Sequence, residues 1–243
     1  MPALNKSILA IALMACVSTA SMAQNLGGLV NDVKHATGGG HLSADDISAG
    51  LREALQQGAH KATAKVSSVD GFYGDALIKV LMPPEAKKVE NTLRQMGMGD
   101  QVDKLILSMN RAAEDASSKA LAIFLDAIKG MSIEDGMKIL RGDNDAATRY
   151  LREKTTAALT QAFEPVIKTS LDKVNATKYW SEVFNTYNKL PTTFKKVNPD
   201  LPAYVTERAL NGVFVYIANE ESKIRKDPGA RATDLLKKVF GSN

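Results

Sequence analysis

What most constrains this chain is a spacing: from residue 43 almost to its end, apolar side chains return every third or fourth position. That period belongs to helices with one buried face, and it is not the period of two that a half-buried strand needs. The clearest stretch begins at Asp100. Val102, Leu105, Ile106, Met109, Ala113, Ala116, Ala120, Phe124 and Ile128 follow it on one face, and Gly130 stands where a helix should close. The spacing predicts one long helix here, capped by Asp100.

Other segments repeat the pattern with their own punctuation. Ser43-Ala44-Asp45-Asp46 reads as a capping box with Asp in the reciprocal place, followed by Ile47, Leu51, Leu55, Ala59 and Ala62. Pro84 suits the first turn of a helix with Val89, Leu93 and Met96 facing inward, stopped by Gly97 and Gly99. Ser132 caps a short helix through Leu140, ended by Gly142. Asp143 or Asn144 starts a long one with Tyr150, Leu151, Leu159 and Phe163 inward, which Pro165 should kink or divide. Thr177 caps a helix with Tyr179, Trp180, Val183, Phe184 and Tyr187, of which Trp180, Phe184 and Tyr187 read as core. Asp200 caps a helix to about Lys226, with Pro202 in its first turn. Asp227-Pro228 opens a last helix, where Leu235, Leu236, Val239 and Phe240 dock the C-terminus. Two stretches break the helical pattern. Residues 67–73 form a loop around Asp70-Gly71, and the apolar run 77–82, from Leu77 to Met82, is the one segment that could be extended, because Pro83-Pro84 disfavours helix before it. The expectation is an all-α fold: a single multi-helix domain over 42–241, of long amphipathic helices with short connections.

The first 23 residues read differently. Lys6, the uncharged apolar run 8–17 and the small residues ending in Ser21-Met22-Ala23 make a signal peptide cut after Ala23, too short in its apolar part to be a comfortable membrane anchor. The only cysteine, Cys16, lies inside it, so a product starting at Gln24 would hold no disulfide. Leu13-Met14-Ala15-Cys16 also loosely resembles a lipobox; lipidation of Cys16 is the alternative, and would tether the chain to the envelope. Residues 24–41, rich in glycine, read as a flexible lead-in. The chain is therefore expected to be exported, periplasmic or lipid-anchored, with no transmembrane span.

Charge is modest and uneven. Residues 24–164 carry 17 basic and 19 acidic side chains, and 165–243 carry 13 and 8. The basic pairs are interleaved with acids and lack the aromatic spacing of a nucleic-acid surface, so nucleic acid is not an expected partner. Catalytic signatures are sparse. The three histidines are His35, His41 and His60; the first two sit in the lead-in and His60 reads as a surface residue. No thiol, Walker loop or dinucleotide fingerprint follows the leader. Asp143-Asn144-Asp145 looks like the start of a calcium loop, but Thr148 and Lys154 occupy its sixth and twelfth places. No metal or cofactor is expected.

Three clusters could still form a ligand site. Asn110, Arg111 and Glu114 lie within one turn beside the buried stripe of the long helix. Arg149 and Tyr150, near Arg152 and Glu153, open the next long helix. Phe72 and Tyr73 follow Asp70-Gly71 in a loop, where large aromatics fold onto a core or line a cleft. Arginine forks suit carboxylate or phosphate, but a salt-bridge network with aromatic packing explains the same residues.

Asp70-Gly71-Phe72-Tyr73, the run 107–114 (Leu-Ser-Met-Asn-Arg-Ala-Ala-Glu), the run 142–148 (Gly-Asp-Asn-Asp-Ala-Ala-Thr) and the tail 233–241 together resemble an uncharacterised bacterial family catalogued as domain of unknown function 4197. The resemblance covers about 42–241. It implies exported helical proteins, some with lipoprotein-type leaders, and brings no established activity and no catalytic residue.

The first functional expectation is a non-catalytic envelope protein that binds a protein partner or a small amphiphile between its helices. The alternatives are a metal-independent hydrolase, which needs Glu114 in a closed pocket beside Arg111 or Arg149, and a purely structural periplasmic protein.

Overall fold

Ser43 opens the first helix as its sequence requires. Its Oγ accepts the Asp46 amide at 3.0 Å, and the Asp46 carboxylate accepts the Ser43 amide at 3.2 Å. A computed structural model describes residues 43–189, 191, 195–231, 234, 237 and 239. Residues 1–42, where a signal peptide with Cys16 and a lead-in with His35 and His41 are expected, lie outside the described residues, as do Leu235, Leu236 and Phe240.

The helices are α1 (Ala44–Val66), α2 (Lys87–Gln95), α3 (Gly99–Ser117), α4 (Ala120–Lys129), α5 (Ile133–Arg141), α6 (Ala146–Asp172), α7 (Ala176–Tyr187) and α8 (Leu201–Lys226). Short 3₁₀ turns precede α2 and follow α8, at Pro84–Ala86 and Pro228–Ala230. No strand occurs among the described residues, so the fold is all-α and the 77–82 run is not a sheet strand. No helix of the described residues is long and apolar enough to cross a membrane.

The centre is built by α3, α6 and α8, which pack on one another. Ala112, Ala113 and Ala116 of α3 are fully buried and let its backbone come close to its neighbours. Phe163 of α6 and Phe214 of α8 fill the space beyond, and Phe124 meets Phe214 edge to face at 5.8 Å. α1 packs on α8, α4 and α5. Its buried face is Leu51, Leu55, Ala59, Ala62 and Val66, while His60 is exposed. α2 folds back on α3 through Gly97, whose φ of +80° is open to glycine at no steric cost. Met96, expected to face inward, is exposed because α2 ends before it, at Gln95. α7 packs on α6 and α8 with Trp180 and Phe184 inward.

Five features of the helices differ from the sequence expectation. The expected single helix 100–128 is two, and Asp100 does not cap the first: that helix starts at Gly99 with Met98 at its N-cap, which puts Asp100 inside the first turn. Ser117 and Ser118 turn their hydroxyls onto the Ala113 and Asp115 carbonyls, and the Lys119 amide reaches back only three residues, to Ala116. The apolar stripe passes through the break, since Ala116 and Ala120 are both buried. Pro165 does not divide α6. Its ring sits on the exposed side, where the carbonyl it leaves unpaired is on the solvent face.

α6 begins at Ala146, and neither Asp143 nor Asn144 caps it. The cap comes from α8: Glu221 accepts the Ala147 amide at 3.0 Å, and the Thr148 amide and hydroxyl at 2.8 and 2.6 Å. α7 starts at Ala176, one residue before Thr177, because Asn175 turns the chain at φ 57°. By contrast, the Ser132 capping box and the Asp200 cap form as expected.

Candidate functional site

The chain between α1 and α2, residues 67–83, has almost no regular structure, and three consecutive-turn side chains of α3 organise it. Asn110 and Glu114 are four residues apart and so share one face of α3. Both are buried, at 0% and 4% exposure. Asn110 Oδ1 accepts the Val80 amide at 2.8 Å, and its Nδ2 donates to the Val80 carbonyl at 2.8 Å and to Ile106 at 2.7 Å. One amide side chain thus stands in for the strand that the apolar run 77–82 lacks. Glu114 Oε1 accepts the amides of Phe72 and Tyr73 at 3.0 and 3.1 Å. Its Oε2 takes Arg111 Nη1 at 2.7 Å, and Arg111 Nη2 continues to Asp70 Oδ1 at 2.7 Å. The bonds to Glu114 and then Asp70 push the guanidinium pKa above its ordinary value.

The backbone of the connector is shaped to meet these groups. Asp70 is at φ 62°, and Gly71 packs so tightly that a Cβ there would lie 2.7 Å from the Val66 carbonyl oxygen and 2.8 Å from that of Ser68. Phe72 is thereby driven inward, fully buried against Gly212 of α8. Tyr73 stays half-buried between two cations, with Lys79 Nζ 3.7 Å and the Arg111 guanidinium 5.8 Å from its ring centre. Tyr204 donates to the Leu81 carbonyl at 2.8 Å. Val69, Leu77 and Leu81 point outward, and Leu77 is 69% exposed.

The connector has a second anchor on α8. The Tyr216 hydroxyl donates to Asp75, whose other oxygen accepts the Leu77 amide at 2.9 Å. The Asp75 bond, with burial, pushes the Tyr216 hydroxyl up to about 12. Asp75 is held below the usual carboxylate range, chiefly by Tyr216, with the Leu77 amide and Lys65 assisting against burial. The raised tyrosine contributes stability that is whole below pH 10 and lost as pH rises towards 12. The lowered carboxylate contributes above its ordinary pKa of about 4 and loses it in acid. The melting temperature difference between wild type and Tyr216→Phe should therefore be greatest near neutrality and close as pH rises from 10 to 12. A difference that stays constant over that range would remove this assignment. Tyr150 and Tyr204 are also shifted upward, mainly by burial, so the comparison must be between variants and not of one alkaline melt.

Phe72, Tyr73, Asn110, Arg111 and Glu114 are thus brought together. Arg149 and Tyr150 make their contacts elsewhere. Arg149 pairs with Asp143 at 2.9 Å and Asp145 at 3.3 Å on the surface, and Tyr150 packs on the core with Lys154 beside its ring. Sequence reasoning missed Asp75, Tyr216 and Gly212; the aromatic–acid pair and the glycine are separated from their partners by the length of the chain. Among the described residues, no three His, Cys, Asp or Glu side chains are grouped as metal ligands. Two hollows between α1, α8 and the first turn of α6, beside Ala54 and Ile224, each hold about 20 Å³, room for one water.

A family model described as Protein of unknown function (DUF4197) matches residues 41–241. The chain belongs to that family. No curated protein and no solved structure matches it. For this DUF4197 chain, then, chemistry has to be read from the geometry. That geometry makes Glu114 a holder of backbone amides: its two oxygens meet Phe72, Tyr73 and Arg111. Asn110 likewise has its carbonyl and both amide hydrogens engaged by backbone.

Proposed function

We propose that this is an exported envelope protein that works by recognition and not by catalysis, and that the 67–83 connector is its recognition element. The observation that carries the reading is the use of Asn110, Arg111 and Glu114. A hydrolase would keep such groups open towards a substrate; here Asn110 and Glu114 fix a loop backbone, and Arg111 ties Glu114 to Asp70 of the same loop. Fixing it presents Tyr73, Leu77, Lys79 and Leu81 together, an aromatic, two aliphatics and a cation, without an ordering cost at binding. A protein partner suits these side chains, and the two hollows beside Ala54 and Ile224 take a water and not an amphiphile. Export rests on the leader pattern of residues 1–23, with lipidation at Cys16 as its variant.

A photo-crosslinking side chain at Leu77, compared in living cells with one at exposed Gln161, tests the reading. A discrete adduct from position 77 alone, weakened about tenfold by Tyr73→Ala, is the expected result. Equal adducts from both positions, or none, would overturn it. The N-terminal mass of the same protein separates Gln24 from a lipidated Cys16, and an intact N-terminus in the cytosol would remove the export reading.

A further inference from the structure

A different surface, formed by α7 and the chain on either side of it, carries a second inference. Between residues 173 and 197 the chain holds five lysines, Lys173, Lys178, Lys189, Lys195 and Lys196, against one acid, Glu182, and no arginine. All five are exposed. The structure gathers three of them. Asn188 donates to the Val197 carbonyl at 2.7 Å and accepts the Val197 amide at 2.9 Å, so Lys189, just after Asn188, is brought beside Lys195 and Lys196, just before Val197. Trp180 and Ser181 hold the same return strand of chain to α7 through the carbonyls of Asn198 and Pro199, at 2.9 and 3.0 Å. The basic cluster is therefore built into the fold. Val174, in the turn before α7, and Tyr179 and Val183 of α7 itself are exposed, Tyr179 by 60%. With twelve residues, α7 extends this mixed surface over about 18 Å.

We infer that the α7 face, with Lys173, Lys178, Lys189, Lys195 and Lys196, docks on the surface of an anionic phospholipid bilayer. Charge complementarity names the phosphate headgroups. The choice of residues favours a bilayer over an acidic protein: lysine is a compact point charge without the planar fork that fixes a carboxylate partner. Its long stem lets the ammonium reach headgroup phosphates while valine and tyrosine sink to the acyl boundary beneath. The surface is a convex helix, which a laterally mobile lipid layer covers without needing a complementary groove. This inference uses α7 and the chain flanking it, and stands independently of the connector's role.

The test uses the full chain carrying Cys16→Ser, which removes any lipid tether, and Thr186→Cys labelled with an environment-sensitive fluorophore on the exposed side of α7. Vesicles of phosphatidylglycerol and phosphatidylethanolamine should shift the emission to the blue, and phosphatidylcholine vesicles should not. Reversing Lys178, Lys189 and Lys195 to glutamate should weaken the response about a hundredfold or more while the melting curve is retained, since each lysine near an anionic surface contributes about fivefold. Raising salt should weaken it as well. No shift with the anionic vesicles overturns the inference. So does a shift that the folded triple variant retains, or one given only by soluble polyglutamate.

Discussion

Glu114→Ala is expected to lower folding stability by about 3–5 kcal/mol, among the largest effects of any single polar substitution in the chain. The loss has two parts. The Phe72 and Tyr73 amides would be left without an acceptor inside the protein, and Arg111 would lose its buried counter-charge. Conservative variants divide these parts. Glu114→Gln keeps an acceptor for the two amides and removes only the charge, so it should cost clearly less than alanine. Asp70→Asn tolerates the left-handed backbone at that position and breaks only the outer, half-solvated ion pair, so it should cost under about 1 kcal/mol. Urea unfolding of the three variants checks the order. If alanine at 114 proved as mild as asparagine at 70, Glu114 would be a surface charge and not the anchor of the connector.

The second large effect is apolar. A Cβ at Gly212 would lie 2.8 Å from Phe72 Cζ and closer still to Cε1, and the ring has no empty space to move into. Gly212→Ala gains about 1 kcal/mol of helix propensity yet is expected to destabilise by about 1–3 kcal/mol, because overpacking outweighs it. Phe72→Ala alone should cost about 3–5 kcal/mol through lost burial and the cavity left behind. In that background the sign at position 212 reverses: Gly212→Ala should now stabilise by about 1 kcal/mol. The double-mutant cycle thus reads the contact between connector and α8 directly. Additive costs would show that ring and glycine do not meet.

How much of this was legible in the sequence depends on how far apart the interacting residues lie. The Ser43, Ser132 and Asp200 caps are local, each a side chain meeting an amide three residues on, and all three could be read. The α6 cap could not, because Glu221 reaches it from 73 or 74 positions away. The Ser117-Ser118 break was hidden by an apolar stripe that passes through it unchanged. Pro165 misled in the opposite direction, since its helical position says nothing about which side faces water. Asn110, Arg111 and Glu114 were recognisable as a set, as were Phe72 and Tyr73. That the first set binds the backbone of the second is a property of the folded chain, as is the pairing of Asp75 with Tyr216.

The central claim is that the connector is a rigid recognition element, held by side chains in place of secondary structure. Native-state amide hydrogen exchange at Phe72, Tyr73 and Val80 tests it most directly, because each of these amides donates to a side chain of α3. All three should be protected nearly as well as the buried amides of α3 itself, and Asn110→Ala should abolish protection at Val80 first. Exchange of the three amides at the rate of an open surface loop in the folded wild type would contradict the claim.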